Sequence, residues 1–443
     1  MATEVVATEH PADATQPGQS AHAHFPCFDG LRAIAAIAVL VHHAGFATGY
    51  SGSGRFGQLS AHGDAGVSIF FLISGFLLYR PFVNAHLSGR TPTSADRFWW
   101  RRALRIFPGY WIAVITIYLV FGFGKGTLNS PGDFFAYFGL TQIYDTTRFF
   151  SGVNQAWSLA TEVSFYLFIP LYAMAIRRIA RRWPMKRVRI EVYGLITLVV
   201  VCVVWRLAWF IYDPYWQRYG AGSAPTKTAP FAGLATQYWL PSHFDLFALG
   251  MGLALLSVWV ARQHTVPRVI ERIGRVPELW WALAAATYVF VSAGVGLPRN
   301  LVVLTGTEYF IRQTLYGLTG LFLLIPAVFG DQQRGLVRRF LRWAPIAYIG
   351  LVSYGVYLWH QAWLGYARED WLGYKDLFQG PIVAVMAIAM AYALLTATAS
   401  YYLVERPVLR FKDRPPWRRR MSPVVASSGL SSSAVAPSGK SPS

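Results

Sequence analysis

Arg32 and the adjacent pair His42–His43 stand in one apolar run of this 443-residue chain. On an α-helix, eleven residues turn through about three turns plus about 20°, so Arg32 and His43 share a face, about 16 Å apart along the axis. His42 lies roughly 80° off that face. An imidazole takes and returns a proton near neutral pH, and a guanidinium stays charged throughout. One helix therefore offers a fixed cation near one end and a titratable base further along. The plain alternative is a helix histidine bonded to a neighbouring backbone carbonyl.

Other polar residues stand in similar surroundings. Glu162 lies near the start of an apolar and aromatic run, Trp157 to Tyr166. It can orient an imidazole or accept from a hydroxyl, or it is a helix N-terminal acid favoured by the macrodipole. Arg102 and Arg105 are three apart, so on a helix both guanidinia face one way. Such a fork suits a phosphate or pyrophosphate, but it also suits plain anchoring at a membrane edge. Ser74, with Gly66 and Gly75, permits close helix approach. Asp245 and His360 sit in or beside apolar runs, either lining a polar cavity or paired in packing. Arg206 is expected to pair with Asp213 or to snorkel outward.

The elements that hold these groups follow from composition. The chain is 54% hydrophobic and only 14% charged, where an average soluble domain carries roughly 25% charge. Mean hydropathy is +0.35. These values exclude a water-soluble protein, and disorder for most of the chain. Crossing a bilayer takes about 20 apolar residues. Ten stretches come near that length: 30–48, 66–84, 105–123, 156–176, 191–211, 237–260, 280–297, 313–330, 345–366 and 381–403. Segment 133–144 is too short to cross and reads as re-entrant or interfacial. The expected fold is an all-α polytopic membrane bundle of about ten transmembrane helices.

The basic residues then sort by connection. Twenty-nine fall on one set of loops plus the C-terminal tail, and nine on the alternate loops. Positive loops stay in the cytoplasm, so both termini are expected inside, in a multi-pass protein of the plasma (inner) membrane. Most of the net +19 is then topology and contact with anionic lipid, and nucleic acid is not an expected partner. Residues 1–24 read as a disordered tail, 25–414 as the membrane domain and 415–443 as a second disordered tail, basic then rich in Ser, Pro and Ala. Cys27 and Cys202 suggest neither a disulfide framework nor a zinc site, and no metal is expected. No internal repeat or inverted pair of interrupted helices stands out.

Taken together, the motifs resemble the acyltransferase-3 family of integral membrane acyltransferases. The matching pieces are Phe28-Asp29-Gly30-Leu31-Arg32 with His43 beyond, Phe70 to Phe76, Arg102 to Pro108, Trp157 to Tyr166, and Ser353 to His360, in order from about Phe28 to Arg410. The resemblance implies transfer of an acyl group, often acetyl, from acyl-CoA to a hydroxyl of a carbohydrate, a glycolipid or a secondary metabolite. It implies that His43 is catalytic, with Arg32 its partner and Glu162 the matching acid, and that Arg102 and Arg105 hold CoA phosphates. Ser74, Tyr166, Asp245 and His360 are candidate linings of the substrate cavity. Some members carry a further hydrolase-like domain after the last helix. None is seen here, so transfer to the final acceptor is expected in the membrane portion. The chemistry expected is general-base attack of the hydroxyl on the thioester, or passage through an acyl-histidine.

Two other functions fit a ten-helix protein with buried ions. One is a transporter or flippase of a lipid-linked sugar or small molecule. The other is a non-catalytic scaffold or sensor, which gives no reason for Arg32 and His43 to share a face.

Overall fold

An apolar run in lipid must satisfy every backbone donor and acceptor internally, and a helix does so within one segment. The computed structural model describes residues 25–122, 128–145, 148–149, 152–212, 235–299 and 304–417. Both expected tails, except 415–417, and Asp213 lie outside the described residues. The principal helices are α1 (Cys27–Ala47), α2 (Ala65–Leu87), α3 (Ala95–Val120), α4 (Ala156–Arg182), α5 (Arg187–Tyr212), α6 (Phe244–Val260), α7 (Pro277–Val289), α8 (Gly306–Val328), α9 (Ala344–Leu351), α10 (Ser353–Tyr366) and α11 (Ile382–Ser400). Among the described residues there is no strand. The all-α polytopic bundle is thus the observed architecture.

Eight helices are long and apolar enough to cross a membrane among the described residues. The short helix Arg268–Arg275 and Pro277–Gly294, bent by 74° where they meet, pass the same test together and bring the number to at most nine. The remaining expected span, 345–366, divides at Val352 into α9 and α10. Gly350 lies at that division, with its backbone against the Asp29 carbonyl of α1, too close for any side chain. Glycine both allows the approach and weakens the helix there. The short segment predicted not to cross becomes the eight-residue helix Pro131–Phe138 and a single turn at Gln142–Tyr144. Tyr110 and Trp111 of α3 donate to the carbonyls of Tyr137 and Phe138 and hold it in place.

Small residues set the closest crossings. Gly75 of α2 lies on the Phe247 carbonyl of α6, and Gly250 of α6 lies on the Leu72 carbonyl of α2. Gly66 of α2 lies on the Ala35 carbonyl of α1, and Gly30 of α1 on that of Leu341. Backbones that meet this closely gain dense packing where lipid offers no hydrophobic gain. Polar groups fasten other contacts. Tyr79 and His86 of α2 donate to the two oxygens of Glu191 on α5, at 2.5 and 2.8 Å. Arg338, 1% exposed, donates to the carbonyls of Pro326, Phe329 and Asp331. It therefore caps the C-terminal end of α8, where the macrodipole favours a cation.

Candidate active site

α1 runs through the middle of this arrangement, packed on α2, α9 and α10. Its continuous helix carries Arg32 near one end and His43 near the other. The His43 ring faces protein: its centroid lies 4.9 Å from that of His360 and 5.0 Å from that of His42.

The hydrogen bonds fix which nitrogen carries each proton. His43 Nδ1 lies 3.0 Å from the Val39 carbonyl, and His360 Nδ1 lies 2.7 Å from that of Tyr357. A carbonyl only accepts, so both Nδ1 atoms are donors. In neutral His360 the Nε2 is then bare, and it lies 3.0 Å from His43 Nδ1. His43 Nδ1–H is shared between the Val39 carbonyl and His360 Nε2, which leaves His43 Nε2 bare. His42 Nδ1 donates to the Ala61 carbonyl at 2.9 Å, so its Nε2 is bare too. Around His360, Gln155 Nε2 donates to the Leu358 carbonyl at 2.7 Å, and the hydroxyls of Ser158 and Tyr357 meet at 2.6 Å. These bonds fasten the start of α4 to α10.

Toward the other end of α1, Arg32 pairs with Asp29 at 3.0 Å. Arg32 also interacts electrostatically with Arg105 and Glu162, and Arg102 with Tyr166, Arg105 and Glu162. Arg102 and Arg105 form no ion pair among the described residues, and Arg102 Nε is buried without a partner. A cavity of about 110 Å³ lies beside Arg102, lined also by Trp99, Ile106, Phe107, Val163 and Tyr166. The Trp99 indole donates to the Tyr166 carbonyl at 3.0 Å and fixes that wall. Ser74 donates to Glu162 Oε1, so this serine bonds an acid where Gly66 and Gly75 serve packing.

The predicted residues thus fall into three places. His43 and His360 touch. Arg32, Arg102, Arg105, Glu162, Ser74 and Tyr166 form a second group, and neither Arg32 nor Glu162 is hydrogen-bonded to His43. Asp245 belongs to a third: it pairs with Arg206 at 2.8 Å, and Arg206 also holds the Ser242 carbonyl. Arg206 therefore turns inward to Asp245 instead of snorkelling outward, while the expected partner Asp213 lies outside the described residues. Arg206 is 2% exposed, and a charge buried that far needs a partner.

Sequence reasoning passed over Asp64, Arg312 and Tyr316. The Tyr316 hydroxyl donates to Asp64 Oδ1 at 2.6 Å, and Arg312 lies 4.0 Å from Asp64 Oδ2. Burial pushes the Asp64 carboxyl up, but His42, Arg312 and the Tyr316 hydroxyl outweigh it and hold it below the ordinary aspartate value. Asp64 precedes α2 in a loop, and Arg312 counted as one of the few basic residues on the alternate side. The available signal was Tyr309, Arg312 and Tyr316 on one face of α8.

Residues 25–403 match a family model described as an acyltransferase domain. The chain is 26% identical over 349 residues to the peptidoglycan O-acetyltransferase OatA of Listeria monocytogenes, covering 76% of this chain and 49% of that protein. It is 27% identical over 414 residues to the acyltransferase MdmB of Streptomyces mycarofaciens, covering 88% and 92%. It is 23% identical over 402 residues to the O-acetyltransferase OatA of Staphylococcus aureus, covering 87% and 57%. The chain spans about half the length of the O-acetyltransferases it matches. No solved structure matches it. With the family model covering nearly all of the helical bundle, the chain belongs to the acyltransferase-3 family of multi-pass membrane proteins.

Proposed function

We propose that this chain is an O-acyltransferase that moves an acyl group, acetyl in the simplest case, from acyl-CoA to the hydroxyl of a carbohydrate, glycolipid or secondary metabolite. The observation that carries the reading is the bare Nε2 of His43, held by Val39 and His360 on a helix that also carries Arg32. The named activities of the relatives support it.

CoA is anionic through its phosphates, and Arg102 and Arg105 form no ion pair among the described residues, although Glu162 and Glu405 act on them electrostatically. They hold the phosphates at the basic end, which faces the cytoplasm of a plasma-membrane protein with both termini inside. The pantetheine arm then spans the roughly 16 Å from the level of Arg32 to His43. His43 Nε2 takes the proton from the acceptor hydroxyl as its oxygen attacks the thioester carbonyl. The tetrahedral intermediate collapses, the C–S bond breaks, and the same nitrogen returns the proton to the CoA thiolate. The products are an ester and CoA. While His43 is an imidazolium, His360 Nε2 accepts from its Nδ1–H and stabilises the charge.

The test uses full-length protein in membrane vesicles with radiolabelled acetyl-CoA. Wild-type protein should transfer label to a hydroxyl acceptor, and His43→Ala should abolish transfer while the protein still inserts. Turnover retained by His43→Ala would overturn the assignment. Movement of an unmodified solute without thioester consumption would favour transport instead.

A further inference from the structure

The Asp64–Arg312 cluster takes no part in the chemistry just described, yet it sits one histidine away from it. His42 touches His43 ring to ring, donates to the Ala61 carbonyl, and interacts electrostatically with Asp64. The cluster therefore lies near the His43 end of α1, opposite the arginine fork.

Its polar groups are only partly satisfied. The 4.0 Å between Arg312 and Asp64 Oδ2 is too long for a hydrogen bond. Among the described residues, Arg312 Nε and the Tyr309 hydroxyl are buried without partners, and Tyr309 is 2% exposed. The Arg312 guanidinium lies over the Tyr309 and Tyr316 rings, at 5.6 and 6.0 Å. Buried donors are normally paired, and unpaired ones mark a strained place or a missing ligand. Arg312 and Asp64 nonetheless keep 26% and 32% of their side-chain surface accessible. The cluster is enclosed by tyrosines and still open to an occupant.

We infer that Asp64 and Arg312, flanked by Tyr309 and Tyr316, form the acceptor subsite and that it takes an uncharged carbohydrate. This rests on the acyltransferase reading. One carboxylate and one guanidinium cancel, so neither an anion nor a cation is favoured overall. A carboxylate accepts from two neighbouring hydroxyls, and a guanidinium donates to sugar oxygens. The buried Tyr309 and Tyr316 rings pack on the guanidinium and hold it in place, and Tyr309 keeps its unpaired hydroxyl for a polar contact. The arginine fork at the other end has the opposite character: among the described residues neither guanidinium is tied up in an ion pair, as an anionic donor requires.

The test compares tetra-N-acetylchitotetraose (chitotetraose below), which is neutral, with tetragalacturonate, an anionic tetrasaccharide, as acceptors for acetyl-CoA in vesicles of the full chain. Wild-type protein should acetylate chitotetraose at least tenfold faster. Asp64→Asn and Arg312→Gln should each raise KM for chitotetraose tenfold or more, and KM for acetyl-CoA less than twofold. Asp64→Asn keeps the Tyr316 acceptor, and Arg312→Lys should recover part of the loss, which separates binding from misfolding. Unchanged KM for chitotetraose, equal rises in both KM values, or preference for tetragalacturonate would each overturn the subsite. Turnover with endogenous membrane acceptors but with neither tetrasaccharide would overturn the neutral-carbohydrate class. If wild-type protein consumes no acetyl-CoA with any acceptor, the acyltransferase reading itself fails.

Discussion

His360 Nε2 lies 3.0 Å from His43 Nδ1 and, in the neutral ring, has no hydrogen of its own to give. A second imidazole therefore stands where a carboxylate orients the base in many hydrolases. It accepts without bringing a formal negative charge into the bundle.

Replacing His360 should for that reason slow the chemical step more than it weakens binding. A charge-assisted hydrogen bond is worth about 1.5–3 kcal/mol, which is roughly 10- to 100-fold in rate. His360→Leu should lower kcat by that factor with KM for acetyl-CoA little changed. His360→Gln, whose carbonyl oxygen can stand near the position of Nε2, should recover part of it. Steady-state kinetics in vesicles decide; equal loss in both variants would reduce His360 to packing.

Arg102 and Arg105 should act on the donor alone. Their joint replacement by Gln removes charge-assisted bonds of about 1.5–3 kcal/mol each, so KM for acetyl-CoA should rise by at least about tenfold. KM for the acceptor is the internal comparison. A double variant with unaltered donor KM would return both arginines to membrane anchoring.

The α2–α6 crossing gives a stability prediction. A methyl group at Gly250 would meet the Leu72 carbonyl, and one at Gly75 the Phe247 carbonyl. Overpacking of this kind costs typically about 1–3 kcal/mol. Gly250→Ala and Gly75→Ala should lower the Tm in detergent. Gly252 of the same helix meets only a Leu195 methyl at 3.8 Å, so Gly252→Ala should be neutral or stabilising by about 0.5–1 kcal/mol. A similar Tm for all three variants would contradict the close crossing.

The piece around Pro131–Phe138 should loosen in acid. Arg148 donates to Asp133 at 2.7 Å and, with Ser130, pulls its carboxyl from 3.8 down to about 2. A depressed carboxyl favours the folded loop fully above its ordinary value, and the gain fades as pH falls toward the depressed one. Pepsin cleavage within 128–149 should therefore increase between about pH 4 and 2. Arg148→Ala should show that cleavage already at the upper end. Cleavage independent of pH in both proteins would discount the pair.

Much of this was legible in the sequence wherever one helix sufficed. The shared face of Arg32 and His43 needs only the helical repeat, and α1 is continuous between them. The spans follow from apolar length, and the Arg102–Arg105 pair from a spacing of three. Contacts between helices were not legible, because hydropathy and period give a helix its face but not its rotation against a neighbour. The His43–His360, Arg206–Asp245 and Tyr316–Asp64 bonds are all of that kind. The division at Val352 was hidden for a related reason. Residues 345–366 are apolar throughout, and only the approach of Gly350 to Asp29 distinguishes the place.

Backbone-on-backbone contacts clamp the helix bearing His43 from two sides, through Gly30 and Gly350 on one and Gly63 and Gly66 on the other. Such a helix cannot slide or tilt without collision. It is a rigid wall, and the opening that admits and releases reactants must come from elsewhere. α3 and α4 meet beside a void bordered by the side chains of Phe107, Val163 and Leu167, away from the Trp99–Tyr166 bond that holds one edge of it. Catalytic geometry in this protein would then be held constant while its doorway moves.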